Sequence, residues 1–210
     1  MTGIIDYDAG NVKSVEKALA FLGEEAVLTR DPSVLLAADR VILPGVGSFG
    51  DAMEKLKRYG LVEVIRELNE RNTPFLGICL GLQLLFESSQ ESPGVEGLSL
   101  LKGKIVRIPE GTGPDGFALK IPHIGWNSLD FPKKGRLFEG LPRESYVYFV
   151  HSYYLRADED IVTATAQYGV TIDASVEKGN LFACQFHPEK SSETGLHILR
   201  NFVRIGREDC

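Results

Sequence analysis

The sequence is poor in cysteine, has no long apolar run and carries no excess of positive charge. Three thiols, Cys79, Cys184 and Cys210, stand in 210 residues. An odd, low number does not build a disulfide framework, so reduced thiols in a cytoplasmic protein are expected. No Cys or His pair has metal-ligand spacing, so neither a metal nor a cofactor is expected. The longest apolar stretch, 75–86, contains Cys79 and Gln83 and is too short to span a bilayer. The opening run Gly3-Ile4-Ile5 follows no basic region, and no leader peptide is expected. With 23 basic against 29 acidic side chains and a formal charge of −6, the average surface does not attract nucleic acid or an anionic membrane. There is neither a P-loop nor a Gly-x-Gly-x-x-Gly phosphate cradle. A chain of this length is expected to form one domain, 1–210, with room for one active site.

What is present is an alternation of strand and helix patterns. Gly3–Asp6, Ala26–Leu28, Arg40–Leu43 and Phe75–Ile78 are short apolar runs. Between them, Val12, Val15, Leu19 and Leu22 keep helical spacing, as do Leu61, Val64, Ile65 and Leu68. Ser48 with Asp51 three residues on resembles a capping box, and Gly60 interrupts the helix that follows. The second half reads as strands at Ile105–Ile108, Tyr146–Val150, Ile161–Ala166, Thr171–Val176 and Leu181–Phe186. A last helix over Ser192–Ile205 follows, and Glu110–Gly116 is an expected loop. The expected fold is α/β: an open, mostly parallel, flavodoxin-like central sheet with helices on both faces and an antiparallel extension.

The segment Gly77-Ile78-Cys79-Leu80-Gly81 puts a cysteine between an apolar strand and an apolar helix, with glycine at −2 and +2. This is the nucleophile elbow with cysteine in place of serine. A bulky side chain at either flank would strike the neighbouring strand or helix. The helix N-terminus favours a thiolate, and the Leu80 N–H is expected to face an oxyanion formed by attack on a carbonyl. A buried structural cysteine is the plain alternative, and the double-glycine frame weighs against it. Cys184, in an apolar strand, is expected in the core, and Cys210 at a mobile end.

The base is sought among His123, His151, His187 and His197. His187 leads, because Phe186-His187-Pro188-Glu189 directly follows a strand. Pro188 biases His187 toward an extended conformation, and residues two apart in such a segment project to one side. Glu189 could then hold the imidazole with its other nitrogen toward the thiol. Taken alone the tripeptide is also compatible with an exposed loop. His197, inside the last helix, has the weakest claim.

These residues together resemble the class I (triad) glutamine amidotransferases over nearly the whole chain. Four further segments carry the likeness: residues 6–11 (Asp-Tyr-Asp-Ala-Gly-Asn), 43–50 (Leu-Pro-Gly-Val-Gly-Ser-Phe-Gly), 121–127 (Ile-Pro-His-Ile-Gly-Trp-Asn) and 148–154 (Tyr-Phe-Val-His-Ser-Tyr-Tyr). They narrow it to the branch that supplies ammonia in histidine biosynthesis. The resemblance implies that Cys79 forms a γ-glutamyl thioester, that His187 moves the protons and that Glu189 orients it. It implies an oxyanion hole from the N–H of Leu80 and one from the 44–47 stretch, with Val46 and Gly47 as candidates. Gln83, Glu91, Ser152 and Tyr153 match positions that hold glutamine.

Ammonia is useful only where another site consumes it, and this chain is too short for a second chemistry. The resemblance implies a heterodimer with a (β/α)₈-barrel cyclase subunit. Candidate interface residues are Asn11, His123, Trp126, Asn127 and Lys190, with the single tryptophan as an aromatic anchor. The 44–47 strand is expected to be mis-set in the free chain. Three alternatives stay open at this point. They are an ammonia-supplying subunit for anthranilate, pyridoxal phosphate or carbamoyl phosphate, a γ-glutamyl peptidase acting alone, and a flavodoxin-like binding module with a spectator cysteine.

Overall fold

Continuous apolar runs with no polar alternation belong where both faces of a strand are covered. In the computed structural model, which describes residues 1–10, 12–113, 116 and 118–205, four such runs form the centre of the sheet. These are β1 (Thr2–Ile5), β3 (Arg40–Leu43), β4 (Phe75–Ile78) and β12 (Leu181–Cys184), every residue of them buried. With the half-buried edge strand β2 (Ala26–Thr29) they pair in parallel in the order β2-β1-β3-β4-β12. Side chains alternate between two cores, as the two-residue period of a strand requires. Ile5, Val41, Leu43 and Phe75 enter one core. Ile4, Ile42, Leu76 and Ile78 enter the other.

One face carries α2 (Pro32–Leu36), α3 (Phe49–Arg58), α4 (Leu61–Glu70) and the start of α5 (Leu80–Leu84). The opposite face carries α1 (Val12–Phe21) and α6 (Ser192–Arg204). The Ser48 hydroxyl accepts the Asp51 N–H, as the capping pattern predicts, and Gly60 parts α3 from α4 at φ 67°. The short α2, with Asp31 as its cap, was not expected.

The antiparallel extension continues the same sheet. Beyond β12 come β11 (Thr171–Lys178), β9 (Tyr153–Ala157) and β6 (Gly103–Arg107), with β5 (Ser88–Ser89) at the edge and β10 (Val162–Gln167) on β11. Separate from it, β7 (His123–Leu129) and β8 (Ser145–His151) form a two-stranded antiparallel ribbon. The strands β5, β7 and β9 were not foreseen. Among the described residues no helix is long and apolar enough to cross a membrane. Asn11 and Cys210 lie outside the described residues, as does part of the expected 110–116 loop.

Candidate active site

Parallel strands gather their carboxyl ends along one edge, and in open α/β sheets sites are built there. Cys79 stands at that edge, between β4 and α5, with φ 55° and ψ −108°. A non-glycine residue holds such a conformation only where its surroundings impose it. The imposition is visible. The Cys79 N–H donates to the Cys184 carbonyl at 2.7 Å, and the Cys79 carbonyl accepts from Leu82 and Gln83. A Cβ on Gly81 would lie 1.9 Å from the Leu43 carbonyl oxygen, and one on Gly77 would lie 2.8 Å from the Gly81 oxygen. Both glycines of the elbow are therefore demanded by backbone approach.

His187 follows β12, the neighbour of β4, so pairing of Cys184 with Ile78 delivers it beside the nucleophile turn. Its Nδ1 is 2.8 Å from Glu189 Oε1, with both side chains 2% exposed. The carboxylate accepts, so Nδ1 carries the proton and Nε2 is left for the thiol. His187 is extended, as expected, but residues 188–190 form a 3-10 turn, and this turn brings the carboxylate to Nδ1. Nε2 is buried and meets no partner in full hydrogen-bonding geometry, but the Cys79 thiol is close enough to act on it. Burial alone would push the imidazole pKa down. The Cys79 thiol and the Glu189 carboxylate outweigh it and hold the pKa up at about 9. The backbone of His187 is tied to the ribbon: its N–H donates to the Tyr148 carbonyl at 3.0 Å, and Tyr148 N–H donates to Ser191 Oγ at 2.9 Å.

Gln185 was missed. It is fully buried, and its amide donates to Cys79 Sγ at 3.7 Å. Its Oε1 accepts from Gln83 Nε2, which also donates to the Tyr153 carbonyl. The available signal was a glutamine inside the apolar run 181–186. Cys184 is core, as expected.

A cleft of about 300 Å³ opens over the thiol, lined by Val46, Gly47, Leu80, Gln83, Glu91, Ser152 and Tyr153 together with Cys79, His151 and His187. The glutamine-binding candidates thus share one pocket. Glu91 also has a local duty, since its Oε2 accepts the Phe49 N–H at the start of α3 at 2.8 Å. The Leu80 N–H is not free but donates to the Gly45 carbonyl at 3.3 Å. That carbonyl engages the donor an oxyanion would need. Val46 is 37% exposed and Gly47 has φ 103°.

The interface candidates divide. Trp126 is 54% exposed on β7, beside the equally exposed Ile124 and Tyr146 and edge-on to Tyr148. Lys190 is exposed, and Asn127 is half-buried with its amide on the Gln167 carbonyl. His123 is not on the free surface: it is 3% exposed, stacked between Phe149 and Tyr168. Its Nδ1 lies 3.0 Å from His151 Nε2, and His151 Nδ1 lies 2.9 Å from the Tyr153 carbonyl. That carbonyl accepts only, so His151 is protonated at Nδ1 and His123 must donate to it. Burial holds both imidazoles neutral, at about 4 for His123 and about 3 for His151.

Residues 4–205 match the family Glutamine amidotransferase class-I. The imidazole glycerol phosphate synthase subunit HisH of Moorella thermoacetica is 52% identical, over 97% of this chain and 94% of that one. The HisH subunit of Methanothermobacter thermautotrophicus is 50% identical, over 99% and 100%. Among solved structures, a glutamine amidotransferase superposes with a TM-score of 0.75 at 22% identity, covering 98% of each chain. PurLQS from Thermotoga maritima gives 0.73 at 21%, covering 97% of each. The solved structures share the fold, and the half-identical relatives run the whole length of the sequence. The chain belongs to the class-I glutamine amidotransferase family and, within it, groups with the HisH subunits.

Proposed function

We propose that this chain is the glutamine-hydrolysing subunit of a cytoplasmic imidazole glycerol phosphate synthase, passing ammonia to a (β/α)₈-barrel cyclase subunit for histidine biosynthesis. The observation that carries it is Cys79 and His187 lining one cleft, with the Glu189 carboxylate on His187 Nδ1, in a chain half identical to HisH subunits throughout. His187 Nε2 takes up the Cys79 thiol proton, as its raised pKa favours, and Sγ then attacks the side-chain carbonyl carbon of glutamine. The tetrahedral intermediate collapses as His187 returns that proton to the departing nitrogen, releasing ammonia and leaving a γ-glutamyl thioester. His187 then takes a proton from water, which attacks the thioester. Glutamate leaves, and the thiol is restored. Glu189 keeps the imidazole in the required tautomer and stabilises its protonated form.

The oxyanion needs donors, and the resting strand offers an acceptor, the Gly45 carbonyl. Rotation of the Gly45–Val46 peptide would turn that carbonyl away, free the Leu80 N–H and bring in the Val46 N–H. Glycine at 45 leaves its side of that rotation sterically open. A strand that rests in the unproductive setting suits an enzyme that must not waste glutamine before its partner is ready. The exposed Ile124, Trp126 and Tyr146 supply an apolar face for that partner. Tyr148 on the same ribbon carries contact to the backbone of His187.

The test is glutamate release by the chain alone, with the cyclase subunit, and with the cyclase plus imidazole glycerol phosphate. Turnover is expected to rise strongly only in the last. Equal rates in all three contradict the proposal.

A further inference from the structure

The first loop of the chain, residues 6–10, has no part in the chemistry above, yet it is fastened at several points. The Arg30 guanidinium bridges the carboxylates of Asp6 and Asp8 at 2.7 and 2.6 Å. It also stands 4.2 Å over the Tyr59 ring, whose hydroxyl donates to Asp8. Lys55 Nζ donates to the Asp8 carbonyl at 3.2 Å. Asp8 takes φ 61°, a conformation these contacts hold in place.

Within this pinned loop Tyr7 points into the protein and is 1% exposed. Its hydroxyl donates to the Pro44 carbonyl at 2.9 Å. Pro44 opens the oxyanion strand. A Cβ on Gly45 would lie 2.5 Å from the same hydroxyl and 2.8 Å from Leu80 Cβ, so Gly45 is gripped between the phenol and α5. At the far end of the loop, a Cβ on Gly10 would lie 3.1 Å from Val46 Cγ2. The loop therefore abuts the strand on both sides of the peptide that must turn. Burial, with the nearby Cys79 sulfur second, raises the phenol's pKa, so the hydroxyl keeps its proton and remains a donor.

We propose that Tyr7 is a positioning residue of the oxyanion strand. Its hydroxyl fixes the Pro44 carbonyl, so that rotation is confined to the Gly45–Val46 peptide. The proposal rests on the function proposed above. An oxyanion donor acts only at about 2.7–3.1 Å from the developing charge. If the Pro44–Gly45 peptide could follow the rotation, the Val46 N–H would arrive over a spread of positions. The ground-state fit of glutamine would be unaffected, because Tyr7 does not line the cleft.

The test is Tyr7→Phe in the full complex with the cyclase subunit and imidazole glycerol phosphate. The stimulated kcat is expected to fall about tenfold, the scale of one lost buried hydrogen bond. The KM for glutamine should stay within about twofold and alkylation of Cys79 by iodoacetamide should be unchanged, a split that marks transition-state positioning. A wild-type kcat overturns the proposal, and so does a loss of kcat, KM and alkylation together, which would mark general damage. If Tyr7→Phe does not fold, Arg30→Gln unpins the same loop from the surface. It should give the same split at about threefold, and an unchanged kcat there is equally fatal. Cys79→Ala run alongside separates the two ideas. Residual turnover in that variant defeats the proposed function, whereas normal turnover in Tyr7→Phe defeats only the role of Tyr7.

Discussion

Gly81→Ala is the substitution whose cost follows most directly from the geometry. The new Cβ would lie 1.9 Å from the Leu43 carbonyl oxygen and 3.0 Å from its carbon, whereas ordinary contact starts at 3.4 Å. β3 and α5 must therefore part by about 1.5 Å. Neither can give cheaply, since both are backbone and Leu43 is fully buried. Overpacking that side chains can absorb costs about 1–3 kcal/mol, so about 3 kcal/mol or more is expected where backbone must move. The same shift draws Leu80 from Gly45 and Cys79 from His187. A displacement of that size costs roughly a hundredfold in turnover. Urea unfolding measures the first effect and glutamate release in the complex the second. Gly77→Ala, with its nearest contact at 2.8 Å, should fall between Gly81→Ala and Gly23→Ala. Gly23→Ala meets no atom within 4 Å and bears only the strain of φ 74°, about 1 kcal/mol. If Gly81→Ala is as stable and active as Gly23→Ala, the steric account of the elbow is wrong.

Three further outcomes follow from the same structure. Glu189→Gln should lower kcat by about two to four orders of magnitude with the chain still folded, and an NMR titration should find the His187 pKa fallen from about 9; a pKa that stays there contradicts the assignment. Trp126→Ala should weaken cyclase binding by about tenfold or more, read by calorimetry, while leaving the free chain's stability within about 0.5 kcal/mol. Folded His123 and His151 titrate at about 4 and 3, below their ordinary 6.5, so they contribute stability that is present above about pH 6.5 and lost as pH falls toward 4. His187 acts in the opposite sense, its contribution fading as pH rises from about 6.5 to 9. His123→Asn should flatten the drop in thermal midpoint between pH 6.5 and 4.5, and an unchanged slope would refute the buried neutral pair.

The elbow was legible because its chemistry is local: strand, glycine, cysteine, glycine and helix are contiguous, and Arg40–Leu43 and Phe75–Ile78 were bounded to the residue. The pairing of β4 with β12, which unites Cys79 with His187, joins segments about a hundred residues apart and leaves no mark in either. A nucleophile's need for a base, and then the family likeness, linked them; the pairing itself was not readable. His123 was misjudged because a histidine in a polar, Gly- and Pro-rich stretch reads as surface, whereas Phe149 on the paired strand and Tyr168 from the bend after β10 bury it. The His187–Glu189 contact was expected for the wrong reason, since a 3-10 turn supplies it. Occupation of the Leu80 N–H by Gly45 depends on one peptide's orientation, and sequence encodes only the freedom to adopt it.

The central claim is that Cys79 carries glutamine's acyl group. Acid-quenched mixtures of the chain, the cyclase, imidazole glycerol phosphate and glutamine can be mapped by peptide mass spectrometry. A γ-glutamyl adduct is predicted on Cys79, with none on the buried Cys184, and both adduct and glutamate release vanish in Cys79→Ala. Turnover without an adduct on Cys79, or surviving its removal, contradicts the account.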